Sequence, residues 1–228
     1  MYSKLKTFYE LSSKFSKCGY HLYLVGGTVR DYLLKIPFRD MDLATEATPS
    51  EIEKILPEAD FTFGKYGSIK YIDKNKNKFD ITTFRKEGKY LDSRHPKYIK
   101  FIKDIKVDSK RRDFTINAMY IDDKFNIIDF HQAKNDLENK ILRMIGNPIK
   151  RLKEDPLRII RAIRFSIEFD FKIEERLNKA IYKCSKFLEE INTDKIKMEI
   201  LKLKDYPSDK IREYFTKYNL QRYLDVLN

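Results

Sequence analysis

Asp40 and Asp42 stand one residue apart in FRDMDLAT, shortly after the segment LVGGTVRDYLL. On a strand, side chains at i and i+2 project from the same face, so the two carboxylates would point together. Like charges so placed repel, and a cation between them is the natural remedy. Hard oxygen donors of this kind suit Mg²⁺, which typically binds through one or two carboxylates plus substrate phosphates. Upstream, Gly26 and Gly27 lack a Cβ, which lets backbone N–H groups approach a ligand closely. Arg30 offers a planar fork for phosphate oxygens. Together these residues outline a site for a metal ion and a nucleoside triphosphate. Singly, each element also has a bland reading: a DxD as solvated charge, a Gly-Gly pair as an ordinary turn.

A second constellation lies in EDPLRIIRAIRF, residues 154–165. At about 100° per residue, Glu154, Arg158 and Arg161 fall within about 60° on one helix face, with Asp155 at its border. An Asp accepts from an exocyclic amine, and an Arg donates to ring nitrogens or carbonyls. The two can therefore mimic a Watson–Crick partner without a nucleic-acid template. Taken alone, the same pattern reads as a surface ladder of ion pairs.

The elements that must carry these groups follow from periodicity and punctuation. Residues 3–17 place apolar side chains at helical spacing. Residues 21–25 form a short apolar strand that breaks at Gly26-Gly27; Thr28 would cap a helix through Leu34, which Pro37 stops. Residues 41–44 predict the next strand, and Thr48-Pro49-Ser50-Glu51 opens a helix. Residues 68–73 and 78–84 predict a hairpin around the KNKN turn. Residues 85–112 are polar and basic, with a loop expected over 85–98 inside them; 114–119 read as helix-compatible, and 125–130 as a short strand. Beyond Leu142 strand signals cease, and 153–167, 174–188, 195–204 and the chain from Asp209 predict amphipathic helices. The expectation is an α+β head with a small mixed or antiparallel sheet flanked by helices, residues 1–141, followed by an all-α neck, residues 142–228.

The chain has 228 residues, of which 42% are hydrophobic and 14% aromatic, the composition of a folded protein. Its net charge is +12, and residues 1–140 and 141–228 each carry six more basic than acidic side chains. A polyanionic partner fits charge spread over a folded body, although lysine-rich chains can be basic without one. Cys18 and Cys184 offer neither a disulfide framework nor a zinc cluster. No stretch approaches the roughly 18 apolar residues of a membrane span, and the amphipathic start is no signal peptide, so a cytoplasmic location is expected. His21, His95 and His131 are scattered; His95, with Tyr90 and Arg94, lies where substrate contact is conceivable. Phe61, Phe63, Phe165 and Phe169 are expected in the core.

GGTVRDYLLKIPFRDMDLAT resembles the first motif of the class II tRNA nucleotidyltransferase/poly(A) polymerase family, a branch of the polymerase β-like superfamily. FDITTFR with YLDSRHPKYIKF resembles the family's third-carboxylate strand and flexible loop. RRDFTINAMYID, residues 111–122, resembles its ribose-recognising motif, and EDPLRIIRAIRF its nucleobase-templating helix. The resemblance implies that Asp40 and Asp42 hold Mg²⁺. It also implies that Asp80, where the family more often has Glu, helps activate the primer 3′-hydroxyl. Gly26, Gly27 and Arg30 would hold the triphosphate, and Arg112, Asp113 and Asn117 the incoming nucleotide. Asp155 and Arg158 would read the base, supported by Arg161 and Arg164. The activity implied is addition of CCA to tRNA from CTP and ATP.

Alternatives are a CC-only or A-only enzyme, a poly(A) polymerase, or a non-catalytic RNA-binding module. Phe63-Gly64-Lys65-Tyr66-Gly67-Ser68 lacks the Gly-Arg-Arg-Phe stretch of the poly(A) branch, and the flexible-loop segment 86–101 favours A addition. Three retained acids argue against the binding module. Lys35 stands where the first motif usually has Gly, and DFHQAKNDL replaces a Gly-containing turn. The family's body and tail are expected to be mostly lacking here, which implies weak, salt-sensitive tRNA binding through phosphates.

Overall fold

The computed structural model describes residues 2–37, 40–88 and 97–227. The chain divides into two compact units, the first drawn mainly from residues up to 134 and the second mainly from 135 onward. Residues 113–115 belong to the second unit, and Arg112 and Ile116 on either side belong to the first.

The first unit begins with α1 (Tyr2–Lys17), whose Phe8, Leu11 and Phe15 are buried. β1 (Leu22–Val25) runs into the glycine pair, and α2 (Gly27–Leu33) follows at once. β2 (Met41–Thr45) leads to α3 (Pro49–Ile55), where Thr48 N–H donates to Glu51 Oε2 at 2.7 Å, as a helix-opening TPSE segment should. β3 (Ser68–Ile72) and β4 (Lys78–Thr83) form the hairpin. Asp73 shapes its turn by accepting from the N–H groups of Asn75 and Asn77, both at 2.8 Å.

The polar, basic segment 85–112 carries structure, and the loop expected over 85–98 opens with a strand. β5 (Arg85–Glu87) pairs with β6 (Ile99–Phe101), and Asp104 caps α4 (Ile105–Ser109) through the N–H groups of Lys106 and Val107. Short strands escape a periodicity reading, and lysine-rich flanks hid them. Residues 115–117 form a single 3₁₀ turn, not the start of a helix. β7 (Tyr120–Ile121) and β8 (Ile127–Ile128) complete the sheet.

Among the described residues the principal sheet has six strands in the order β3-β4-β2-β1-β7-β8, with β2 and β4 parallel and the remaining neighbours antiparallel. Period-two alternation sorts its two faces. Leu22, Leu24, Met41, Leu43, Phe79 and Ile81 fill one and are buried. Asp42 and Asp80 project from the other, which farther along buries Val25, Ala44, Phe84 and Tyr120 together.

α5 (Ala133–Glu138) leads into β9 (Ile141–Leu142), and the second unit is then mostly helical: α6 (Pro148–Glu154), α7 (Leu157–Phe169), α8 (Glu175–Cys184), α9 (Thr193–Ile200) and α10 (Ser208–Lys217). One short strand interrupts them, β10 (Lys172–Ile173), parallel to β9. The single helix expected over 153–167 is in fact two. Pro156 disfavours helical geometry in the residue before it, and Asp155 sits extended at φ −151°.

Candidate active site

Asp42 and Asp80 are register partners on β2 and β4, so their Cα atoms lie side by side and their side chains leave the same face. Asp40 lies exposed just before β2 begins. The Asp42 carboxylate is pressed against the glycine turn. Gly26 has φ +66°, and a Cβ there would stand 3.0 Å from Asp42 Oδ2; one on Gly27 would stand 3.6 Å away. Gly26 is therefore required twice, for its backbone conformation and for its missing side chain. Gly27 N–H hydrogen-bonds the Asp42 carboxylate. Thr28, expected as the cap of α2, instead braces β2. Its Oγ1 accepts the Asp42 backbone N–H at 2.7 Å, and Gly26 takes the cap position.

Burial pushes the Asp42 carboxyl up to about 6. The Arg112 and Arg30 guanidiniums and the Gly27 N–H pull it back, and the charge of Asp80 adds to the rise. An acid so placed gains from any cation that arrives.

The cationic side chains around Asp42 are fixed by partners of their own. Arg30 is buried and donates to Asn117 Oδ1 at 2.8 Å and to Asp31 Oδ1 at 2.8 Å. Arg112 donates to the Tyr120 hydroxyl at 3.1 Å and to Asp108 Oδ2 at 3.2 Å. Asp108 is fully buried and also accepts from Arg111 Nε, the Arg85 N–H and the Tyr120 hydroxyl. Burial alone would raise its carboxyl; Arg111 and Arg112 foremost hold it down at about 2. Sequence reasoning missed Asp108 and Tyr120. Asp108 precedes Arg111 and Arg112 by three and four residues, the helical spacing that could have flagged it. Lys70 was missed too: it lies opposite Asp80 on β3, with Nζ 3.6 Å from Asp80 Oδ1.

Among the described residues, no three His, Cys, Asp or Glu side chains converge as a ready-made metal cage. A neighbouring carboxylate pair with a raised carboxyl suits a hard divalent ion whose remaining ligands come from water and phosphate. The residues present fit such an ion.

Asp113, Asp155, Arg158, Arg161 and Arg164 all belong to the second unit and are tied to one another there. Arg161 donates from Nε to Asp113 Oδ2 at 2.9 Å, with a second bond from Nη2. Glu199, unnoticed in the sequence, lies 3.7 Å from Arg161 and accepts from Arg164 Nε at 2.9 Å. Arg158 donates to the Arg151 carbonyl at 2.7 Å and stands 3.7 Å from Glu154 and 3.9 Å from Asp155. The single helix face expected for Glu154, Arg158 and Arg161 does not exist, because the Asp155-Pro156 break puts Glu154 on α6 and both arginines on α7. Asp155 instead accepts the Leu157 N–H at 3.2 Å.

Of the scattered histidines, His21 precedes β1 and shares Glu46 Oε1 at 2.8 Å, and half-buried His131 meets Ser109 Oγ at 2.9 Å. His95, Tyr90 and Arg94 lie outside the described residues. Phe165 is buried, as expected, but Phe63 is 51% exposed.

Paired carboxylates beside a glycine turn, on a mixed sheet flanked by helices, are the build of a nucleotidyltransferase head. The chain belongs to the poly(A) polymerase head-domain family, whose profile matches residues 22–143. A curated CCA-adding enzyme from Ligilactobacillus salivarius is 43% identical over 190 residues, which make up 83% of this chain and 47% of that protein. The crystal structure of the Bacillus stearothermophilus CCA-adding enzyme in complex with CTP matches with a TM-score of 0.86 at 31% identity, covering 94% of this chain and 52% of that one. The Thermotoga maritima CCA-adding enzyme complexed with tRNA_CCA matches with a TM-score of 0.76 at 27% identity, covering 96% and 52%. The chain thus spans about half the length of the curated relatives it matches. Among the described residues no helix is long and apolar enough to cross a membrane.

Proposed function

We propose that this chain is the head, residues 1–141, and neck, residues 142–228, of a cytoplasmic tRNA nucleotidyltransferase. It adds C and A from CTP and ATP to tRNA 3′ ends, making CCA without a nucleic-acid template. The observation that carries the proposal is the register pairing of Asp42 with Asp80 against the Gly26-Gly27 turn. The likeness to CCA-adding enzymes supports the choice of substrates.

Asp40 and Asp42 are the residues that would hold Mg²⁺. When bound, the ion would neutralise the triphosphate and lower the barrier to attack by the primer 3′-hydroxyl. Asp80 would draw the proton of that hydroxyl. The N–H groups of the Gly26-Gly27 turn and the Arg30 guanidinium would hold phosphate oxygens as pyrophosphate departs. Arg112 and Asn117 would steady the nucleotide, and Asp113 would take a ribose hydroxyl. Asp155 and Arg158 would present an acceptor and a donor to the base edge, with Arg161 and Arg164 bracing them.

The test is incubation of tRNA lacking CCA with Mg²⁺ and CTP alone, ATP alone, or both, followed by sequencing of the 3′ ends. Complete CCA with both nucleotides is the expected result. Termination at CC, or a long A tract, would reassign the chain within the family. No incorporation under any condition would overturn the enzymatic reading.

A further inference from the structure

Lys70 belongs to β3, the edge strand of the sheet, and its Cα pairs in register with that of Asp80. The two side chains therefore leave the same face, and the ammonium comes within 3.6 Å of Asp80 Oδ1. The backbone at Lys70 is held from both sides. β4 pairs with it on one edge; on the other, its N–H donates to the Asp60 carbonyl at 3.0 Å and its carbonyl accepts the Asp60 N–H at 2.8 Å. The side chain has no such restraint, being 54% exposed against 42% for that of Asp80. A fixed backbone thus carries an exposed side chain.

The cations near Asp42 are of a different kind, since Arg30 and Arg112 are fixed by hydrogen bonds to Asn117, Asp31, Tyr120 and Asp108. The other acid near Lys70, Asp60, already accepts from both the N–H and the hydroxyl of Thr62. An exposed lysine–carboxylate contact longer than a hydrogen bond is weak, and a divalent ion outcompetes it readily.

We propose that Lys70 is a positioning residue for Asp80: an internal counter-cation that gives way to the divalent ion when nucleotide is taken up. The inference rests on the nucleotidyl-transfer reading. Before loading, the ammonium offsets the repulsion between Asp80 and Asp42 across the strand pair. On loading, it swings clear, and the cation concentration at which the site fills is set in part by this lysine.

The experiment compares the wild-type chain with Lys70→Gln, Lys70→Arg and Lys74→Gln, the last removing an equal charge at the hairpin turn. Mn²⁺ binding is measured from the free-ion paramagnetic resonance signal, and the Mg²⁺ concentration for half-maximal CTP incorporation is measured in parallel. Lys70→Gln should bind Mn²⁺ about two- to fivefold more tightly, the range an exposed ion pair allows. Its Mg²⁺ midpoint should fall by the same factor, while Lys70→Arg and Lys74→Gln stay near wild type. Unchanged Mn²⁺ affinity in Lys70→Gln, or an equal gain in Lys74→Gln, overturns the proposal. A shifted Mn²⁺ affinity in a chain that incorporates no nucleotide would sustain the counter-cation and sink the transfer reading. Active variants with one common Mn²⁺ affinity would do the reverse.

Discussion

Asp42 and Asp80 are direct neighbours across two strands that run parallel, one carboxylate tucked beneath a glycine turn and the other open at the strand beside the sheet edge. The pair costs the unloaded fold repulsion, which a shared cation would relieve. Asp42→Asn should therefore lower nucleotide incorporation at least about a hundredfold, the scale on which single electrostatic groups act in catalysis. A melting scan with and without Mg²⁺ and CTP supplies the check: ligand stabilisation of the wild type should vanish in the variant.

Gly26 leaves little room for a side chain. Its φ of +66° is costly for any L side chain, and the added Cβ would meet Asp42 Oδ2 at 3.0 Å. Gly26→Ala should lose about 1–2 kcal/mol of stability from the backbone alone, readable as a lower denaturant midpoint. Activity should fall further than stability, because the displaced group is the buried carboxylate.

The buried Asp108 carboxyl links stability to pH. Its folded value of about 2 lies below that of an unfolded Asp, so the folded state prefers the ionised form. The stabilisation is complete above about pH 4 and disappears as pH falls toward 2. Asp108→Asn should cost about 2–4 kcal/mol at pH 7, since it also removes the buried ion pairs with Arg111 and Arg112. Chemical denaturation at pH 7 and pH 3 should show the two proteins converging in acid; a constant gap would contradict the assignment.

Lys35 holds a glycine's position. It has φ +59°, its N–H donates to the Tyr32 carbonyl at 3.2 Å, and the Ile36 N–H reaches the Asp31 carbonyl at 2.8 Å, the paired bonds of a Schellman ending to α2. Lys35→Gly should raise stability by about 0.5–1 kcal/mol, strain relief outweighing the added freedom of the unfolded chain. A higher thermal midpoint with unchanged incorporation is the expected outcome.

Arg161 clamps Asp113 with two bonds from one guanidinium edge. Arg161→Lys retains charge and loses the fork, so it should raise the KM for CTP and ATP several-fold with a smaller effect on kcat. Steady-state kinetics with each nucleotide would settle it.

The first motif was legible because its features are local: an apolar strand and two glycines that end it; of the two acids spaced for a strand, Asp42 lies on β2 and Asp40 just before it. The neighbour relation of Asp42 and Asp80 was less so, since parallel pairing depends on a crossover that no short window contains. Asp108 stayed hidden because a helical acid gains meaning from Tyr120, which the sheet brings to it. Over residues 154–165 periodicity misled: the count of 100° per residue ran through Pro156, whose missing N–H and clash with Asp155 split the helix. Phe63 shows the same limit, an aromatic side chain left largely in solvent by a glycine-flanked turn.

The parallel seam between β2 and β4 has a kinetic corollary. β1 with β2, and β3 with β4, are antiparallel neighbours that can associate early, whereas the seam must wait for the intervening crossover to close. Asp40 and Asp42 belong to the first piece and Asp80 to the second, so the full set of acids is assembled only when the seam closes. Refolding rates should then be indifferent to added metal, with its whole stabilising effect appearing as slower unfolding.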